Sequence, residues 1–230
     1  MTGVQTCALP ISEEVAVPRH LLHRLTQREV SAVDERQQRA CLDRLWQVPG
    51  NHDDRAVLRT VFHDRISGTA DQLIQFDFES AGWLCLGLDT HVPGAVAGRI
   101  SAAQVDQIRS RLQTSSASRC ALFMHHPPVL LNSVWMDAIG LAGRELLGAL
   151  CTAEPRIQLI CCGHVHHEFH GQLATAAVRT TPSTGIQFAP DSDTPKFVPG
   201  CPGFRIIDLT PGGYTTEIQR ISTPSIPITN

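Results

Sequence analysis

Ile157-Gln158-Leu159-Ile160-Cys161-Cys162-Gly163-His164-Val165-His166-His167 is the stretch that decides how this chain folds. Its first six residues form a nearly continuous apolar run, the pattern of a strand buried on both faces. Gly163 ends the run and imidazoles come at once. A His-x-His pair on an extended segment points two rings to one side of the chain. Histidine is the commonest metal ligand, and polar rings buried at a strand end need partners.

Two further strings repeat the arrangement. Cys120 to Met124 is a second buried strand, followed by His125-His126-Pro127-Pro128. Leu45 to Val48 reads as a short strand that turns at Pro49-Gly50 into Gly50-Asn51-His52-Asp53. Six of the eleven histidines fall in these three strings. Alone, Gly-Asn-His is a capped turn, and His-His-Pro-Pro is a strand end with a surface histidine. Three such strings in sequence, each behind a strand, predict ligands gathered where the carboxyl ends of strands meet their loops.

The remaining pattern supplies the frame. Arg19 to Gln47 predicts a helix, and Asp53 or Asp54 caps another through Val57, Leu58, Val61 and Phe62. Gln72 to Phe78 and Trp83 to Leu88 read as strands joined by Glu79-Ser80-Ala81-Gly82. Ser101 caps a helix carrying Ala102, Val105, Ile108 and Leu112. Residues 129–139 read as a loop and Leu141 to Leu150 as a helix. Further strands are predicted over Gln172 to Val178, Phe204 to Leu209 and Tyr214 to Ile221, the last two joined at Pro211-Gly212-Gly213. The fold class is α/β, with two mixed sheets in layers flanked by helices.

Composition narrows the partners. The 230 residues are 42% hydrophobic and 18% charged, as in a globular domain. A net charge of -3 provides no basic field to recruit nucleic acid. No apolar stretch reaches the roughly 18 residues that predict a membrane span. The eight cysteines are scattered without a Cys-x-x-Cys pair, which reads as buried reduced thiols and a cytoplasmic setting.

The three strings resemble the third, fourth and fifth motifs of the calcineurin-like metallophosphoesterases. The flanks Pro49-Gly50-Asn51-His52-Asp53, Leu88-Asp89-Thr90, Met124-His125-His126-Pro127, Thr181-Pro182-Ser183-Thr184 and Gly185-Ile186-Gln187-Phe188 resemble the bacterial 3',5'-cyclic-AMP phosphodiesterases. That resemblance implies two divalent ions, of Fe, Mn or Zn. Asn51, His125 and His164 would hold one ion and His166 would serve the other. His52 and Asp53 would be catalytic, and Asn51, His52 and His126 would face the substrate, a small phosphodiester. A hydroxide activated between two metals would open the cyclic diester. An oligomer stays open, as do a phosphomonoesterase, another phosphodiesterase and a non-catalytic metal-binding module.

The family's Asp-x-His and Gly-Asp motifs do not occur before Gly50; Asp34 and Asp43 sit in charged, helix-like sequence. Met1 to Ile11 resembles a translated sequencing adapter. Residues 1–12 are therefore read as a non-native leader, 13–222 as a partial domain lacking its first strands, and 223–230 as a loose tail. The expectation is that this chain by itself is nearly inactive.

Overall fold

The computed structural model describes residues 2–5 and 45–221. Most of the helix expected over 19–47, Asp34, Asp43 and the tail over 223–230 lie outside the described residues. In chain order the first elements are β1 (Thr2–Gln5), α1 (Arg55–Val61), β2 (Phe76–Ser80), β3 (Trp83–Leu88), β4 (Gly98–Arg99) and α2 (Ala102–Thr114). Then come β5 (Arg119–Met124), α3 (Val134–Ala138), β6 (Leu141–Ala142), α4 (Arg144–Ala153) and β7 (Ile157–Cys162). The chain continues through β8 (His170–Leu173), β9 (Ala176–Thr180), β10 (Gln187–Phe188), β11 (Phe197–Val198), β12 (Gly203–Thr210) and β13 (Gly213–Arg220).

Six strands form the main sheet in the order β2-β3-β5-β7-β9-β8. The inner four, β3, β5, β7 and β9, run parallel, and an antiparallel strand closes each edge. Parallel neighbours place the ends of β3, β5 and β7 side by side, so the loops after Leu88, Met124 and Cys162 open along one edge. The second sheet, β1-β12-β13, is antiparallel in its described strands, whereas the sequence predicts both sheets as mixed. Its tight Pro211-Gly212 turn reverses the chain and permits only antiparallel pairing. Its first strand, β1, falls inside the stretch read as a leader.

Alternation along the strands feeds two cores. Leu84, Leu86 and Leu88 face Val105, Ile108 and Leu112 of α2 and Leu147 and Leu150 of α4. Trp83, Cys85, Leu159 and Cys161 face Ile207 and Leu209 of the second sheet. The result is three layers: helices, main sheet, smaller sheet. Trp83 is fully buried and its indole donates to the Thr210 carbonyl at 2.8 Å, joining the two sheets. Cys85, Cys120, Cys151, Cys161 and Cys162 are buried and unpaired, and Cys201 is exposed. Burial pushes the Cys85 thiol up to about 12, so it stays protonated and unreactive.

Several boundaries differ from expectation. Leu45 to Val48 forms no strand; the Trp46 ring instead lies on Phe78, centroids 4.1 Å apart. The strand expected from Gln72 starts at Phe76, because the Ile74 amide donates to the Asp89 carboxylate at 2.8 Å rather than to a ladder. Residues 129–139 contain α3. Leu141 and Ala142 pair with β4, and Gly143, at φ 82, lets the chain turn into α4. The single strand expected over Gln172 to Val178 is a hairpin turning at Ala174, φ 52.

One buried ion pair braces the loops at the ligand edge. Arg55 Nε and Nη2 donate to Asp89 Oδ2 and Oδ1 at 2.7 and 2.9 Å. Asp89 also accepts from the amides of Ile74 and His91, and Arg55 Nη2 donates to the His91 carbonyl. Both side chains are nearly inaccessible to solvent. Removing one partner strands a buried charge, so Arg55→Ala should cost about 3–5 kcal/mol of stability. Urea denaturation should show the midpoint falling; an unchanged midpoint would mean that the pair does not brace the fold.

Candidate metal centre

Each candidate ligand is delivered by a loop at the carboxyl edge of the main sheet or by the turn that opens α1. Asp54 caps α1 by accepting from the amides of Ala56 and Val57, which orients the preceding turn. Asp53 Oδ2 accepts from the Gly50 amide at 2.7 Å and closes that turn on itself. Gly50 is needed here: a Cβ on it would stand 2.9 Å from His125 Cε1, so the imidazole lies directly on the glycine backbone.

Asn51 is thereby brought to two imidazoles. Its Oδ1 lies 2.7 Å from His125 Nε2 and 3.3 Å from His164 Nδ1. The His125 and His164 rings stand edge to face with centroids 5.1 Å apart. One oxygen and two nitrogens thus converge from loops 74 and 113 residues apart in sequence. His164 Nε2 and His166 Nδ1 are buried and make no well-aligned hydrogen bond, although the Ile139 and Ile186 carbonyls act on the two rings. A buried ring atom left without a good hydrogen bond is costly, and a cation is one partner that suits it.

The backbone of this loop departs from expectation. His164 and His166 are not on an extended segment: their φ angles are 70° and 55°, both left-handed. Such conformations cost on the order of 1–2 kcal/mol for a residue with a side chain. The buried Val165 sits between them, anchored in the interior, and the two turns set the imidazoles. His166 lies flat on Phe188, ring centroids 4.4 Å apart and planes 11° apart. Arg205, buried on β12, donates to the Thr180 carbonyl and to Glu168 at the end of the same loop.

His126 is placed differently from its expected substrate-facing position. It is fully buried, with Nδ1 2.8 Å from Thr90 Oγ1 and Nε2 3.0 Å from the Val96 carbonyl. The nitrogens of His125, His126 and His164 lie within 4.8 Å of one another. Both nitrogens of His126 are nevertheless engaged, so it has no lone pair for a metal and no atom for a substrate. It ties the 91–99 loop to the end of β5. Gly98 gives it room, since a Cβ there would fall 2.2 Å from its Nδ1. The sequence signal was present in Asp89-Thr90, a polar pair ending a wholly apolar strand, yet nothing in it named the partners.

The donors are neutral. Desolvation, then the charge His164 would carry, holds His125 well below the ordinary imidazole value. Burial and neighbouring His126 and His166 lower His164 to about 3, with the Ile139 carbonyl opposing. Burial also lowers His166 to about 4 and His126 to about 4. His52 is exposed at the turn, close enough for its charge to depress His125, His164 and His166. Neutral imidazoles and an amide oxygen form a donor set that fits a divalent transition ion. No carboxylate joins the set among the described residues. A cavity of about 290 Å³ lined by Leu45, Trp46, Asp64 and Arg65 shares no residue with the cluster.

Among curated proteins, the chain is 32% identical over 189 residues to the 3',5'-cyclic adenosine monophosphate phosphodiesterase CpdA of Vibrio vulnificus, covering 82% of this chain and 66% of the relative. It is 31% identical over 182 residues to a 3',5'-cyclic-nucleotide phosphodiesterase of Nostoc sp., covering 79% and 66%. With the CpdA of Pseudomonas aeruginosa the identity is 32% over 173 residues, covering 75% and 61%. The chain therefore spans just under two thirds of the length of the curated relatives it matches. Among solved structures, a dimetal phosphatase from Danio rerio superposes with a TM-score of 0.56 at 16% identity, over 82% of this chain and 76% of that one, a likeness of fold. No family model matches the chain.

The buried rings give the site a pH signature and a packing constraint. Because the folded rings titrate far below 6.5, the unfolded chain binds protons first as pH falls. The stability they permit is complete above about pH 6.5 and lost as pH falls from there to about 3, where His164 titrates. Thermal melts of metal-free protein should show that decline; a flat profile over the window would contradict neutral buried imidazoles. Gly98→Ala should cost about 1–3 kcal/mol by overpacking against His126, read as a lower denaturation midpoint; an unchanged midpoint would mean that the contact yields freely.

Proposed function

The chain belongs to the metallophosphoesterases, the family of the cyclic-nucleotide phosphodiesterases it matches, and from that premise we propose that it hydrolyses 3',5'-cyclic nucleotides with divalent metal ions held at the imidazole cluster. The observation that carries this reading is the convergence of Asn51 Oδ1, His125 Nε2 and His164 Nδ1 on one another. Asn51, His125 and His164 would hold one ion. His166, with a buried Nδ1 that makes no well-aligned hydrogen bond, contributes to a second. Bound there, divalent ions supply Lewis acidity and a lowered pKa for water.

The chain's own side chains supply the rest. Neutral rings need lose no net proton before a cation enters; His125 Nε2 and His164 Nδ1, which donate to the Asn51 oxygen, would present lone pairs there by a change of tautomer. His52 stands exposed and is the most open imidazole of the three strings, His125, His166 and His167 being half-buried. It stabilises charge on the phosphoryl oxygens and passes a proton to the departing 3' oxygen as the cyclic diester opens to a 5' monoester. Asp53 fixes the turn bearing His52 through its hydrogen bond to Gly50. His126 positions the 91–99 loop rather than touching the substrate.

Substrate choice is tested by comparing turnover of cyclic AMP, a 2',3'-cyclic nucleotide and a glycerophosphodiester with added Mn²⁺. Preference for the first supports the reading; preference for the glycerophosphodiester moves it to a general phosphodiesterase. Removing a donor tests the centre itself. His164→Ala and His125→Ala should each weaken Mn²⁺ binding and Mn²⁺-dependent hydrolysis by about a hundredfold, the upper end of losses seen when metal-site groups are removed. Calorimetric titration of Mn²⁺ reads the first effect without relying on turnover. Unaltered Mn²⁺ affinity in both variants would sink the assignment.

A further inference from the structure

A row of aromatic rings leads outward from the histidines and has no part in the chemistry above. Phe188 lies flat on His166, and Trp135 meets Phe188 edge-on at 5.2 Å and 88°. Phe197 comes next, 5.4 Å from Phe188 and tilted by 33°. Exposure rises along the row: His166 and Phe188 are half-buried, and Phe197 is 65% exposed. Phe188 and Phe197 face each other across the β10–β11 pair, and Trp135 comes from α3. The two segments are fastened together: Ser133 Oγ donates to the Ser192 carbonyl at 2.6 Å and the Val134 amide to Asp193 Oδ1 at 3.1 Å. Val134, at 70% exposure, and Ile186, at 48%, add exposed apolar surface from the same two segments.

This wall carries apolar area that folding does not bury, on a short hairpin held in place by polar contacts. Concentrated exposed apolar surface of that kind marks a place where something binds. Its inner end is His166, a donor at the metal centre, so a phosphoester engaged there extends its remaining atoms along the row. A planar base is the ligand group that an exposed phenyl face suits, because stacking needs only a π-face and tolerates any base.

We propose that Phe197, backed by Phe188 and Trp135, stacks the nucleobase of the substrate, making this wall the nucleoside subsite. The inference rests on the phosphodiesterase reading and deepens it. With an aromatic face as the recognition element, cyclic nucleotides with different bases share the benefit, and phosphodiesters without a ring do not.

The test is equilibrium binding to the 230-residue chain with Mn²⁺ present, using cyclic AMP, cyclic CMP, glycerophosphocholine and inorganic phosphate as probes. Phe197→Ala should weaken both cyclic nucleotides by roughly five- to 150-fold, the loss expected for one base–aromatic stack. Phosphate and glycerophosphocholine should bind unchanged, and Phe197→Trp should restore the cyclic nucleotides. Equal losses for all four probes, or none for the cyclic nucleotides, overturns the subsite. Wild-type protein that binds phosphate but gains nothing from a base also overturns it, and leaves the phosphoesterase reading standing. Failure to bind even phosphate removes both.

Discussion

The carboxylate of Asp89 holds the site together from behind. Its two oxygens take both arms of Arg55 and the amides of Ile74 and His91. Gln104, from the capping box of α2, donates to its backbone carbonyl. A buried ion pair loses much of its hydration, and its attraction offsets that loss only when the remaining hydrogen-bonding capacity is used. On the Asp89 carboxylate it is used in full. The consequence is positional: Arg55 is the first residue of α1, immediately behind the Asn51 turn, and Asp89 sits directly after β3. The pair therefore clamps the turn that carries Asn51 to the sheet that carries the imidazoles.

The parallel sheet sets the other half of the constraint. Leu88, Met124 and Cys162 lie in register at the ends of three neighbouring strands. The loops that leave these three residues must therefore share one edge. Thr90 and His126 lock the first two loops together, and the Gly163 amide donates to the His125 carbonyl to lock the second to the third. The third loop takes up the strain, with two histidines in the left-handed region. Strain of this sort persists when surrounding contacts over-determine it. Arg205 and Thr180 supply such contacts from the far side.

Much of this was legible in the sequence where one physical signal was strong. Trp83 to Leu88 is apolar throughout and Ile157 to Cys162 nearly so, because both faces are covered, and both strands lie where that pattern puts them. Ser101 announced α2. The β8–β9 hairpin was hidden because Ala174 and Thr175 turn it without glycine, asparagine or aspartate. The same blindness covers His126: a histidine after a strand reads alike whether its nitrogens face solvent or two fixed partners. Only the loop from Thr90 to Gly98, distant in sequence, decides which. Asn51, His125 and His164 could be grouped by motif. The left-handed turns that aim two of the histidines could not, because backbone conformation at a residue with a side chain leaves no mark in composition.

Burial also explains why metal donors and substrate wall divide as they do. Deep rings are held neutral and keep their lone pairs, which makes them good ligands and poor proton carriers. The imidazole proposed to exchange protons with a substrate, His52, instead reaches solvent. The aromatic row repeats that gradient in another chemistry. Phe188 lays one face on His166 and so steadies a ligand ring, while Phe197 keeps its surface outside. The side chains thus sort by depth, from buried His164 through half-buried His166 and Phe188 to exposed Phe197, set by how far each loop carries its side chain beyond the sheet edge.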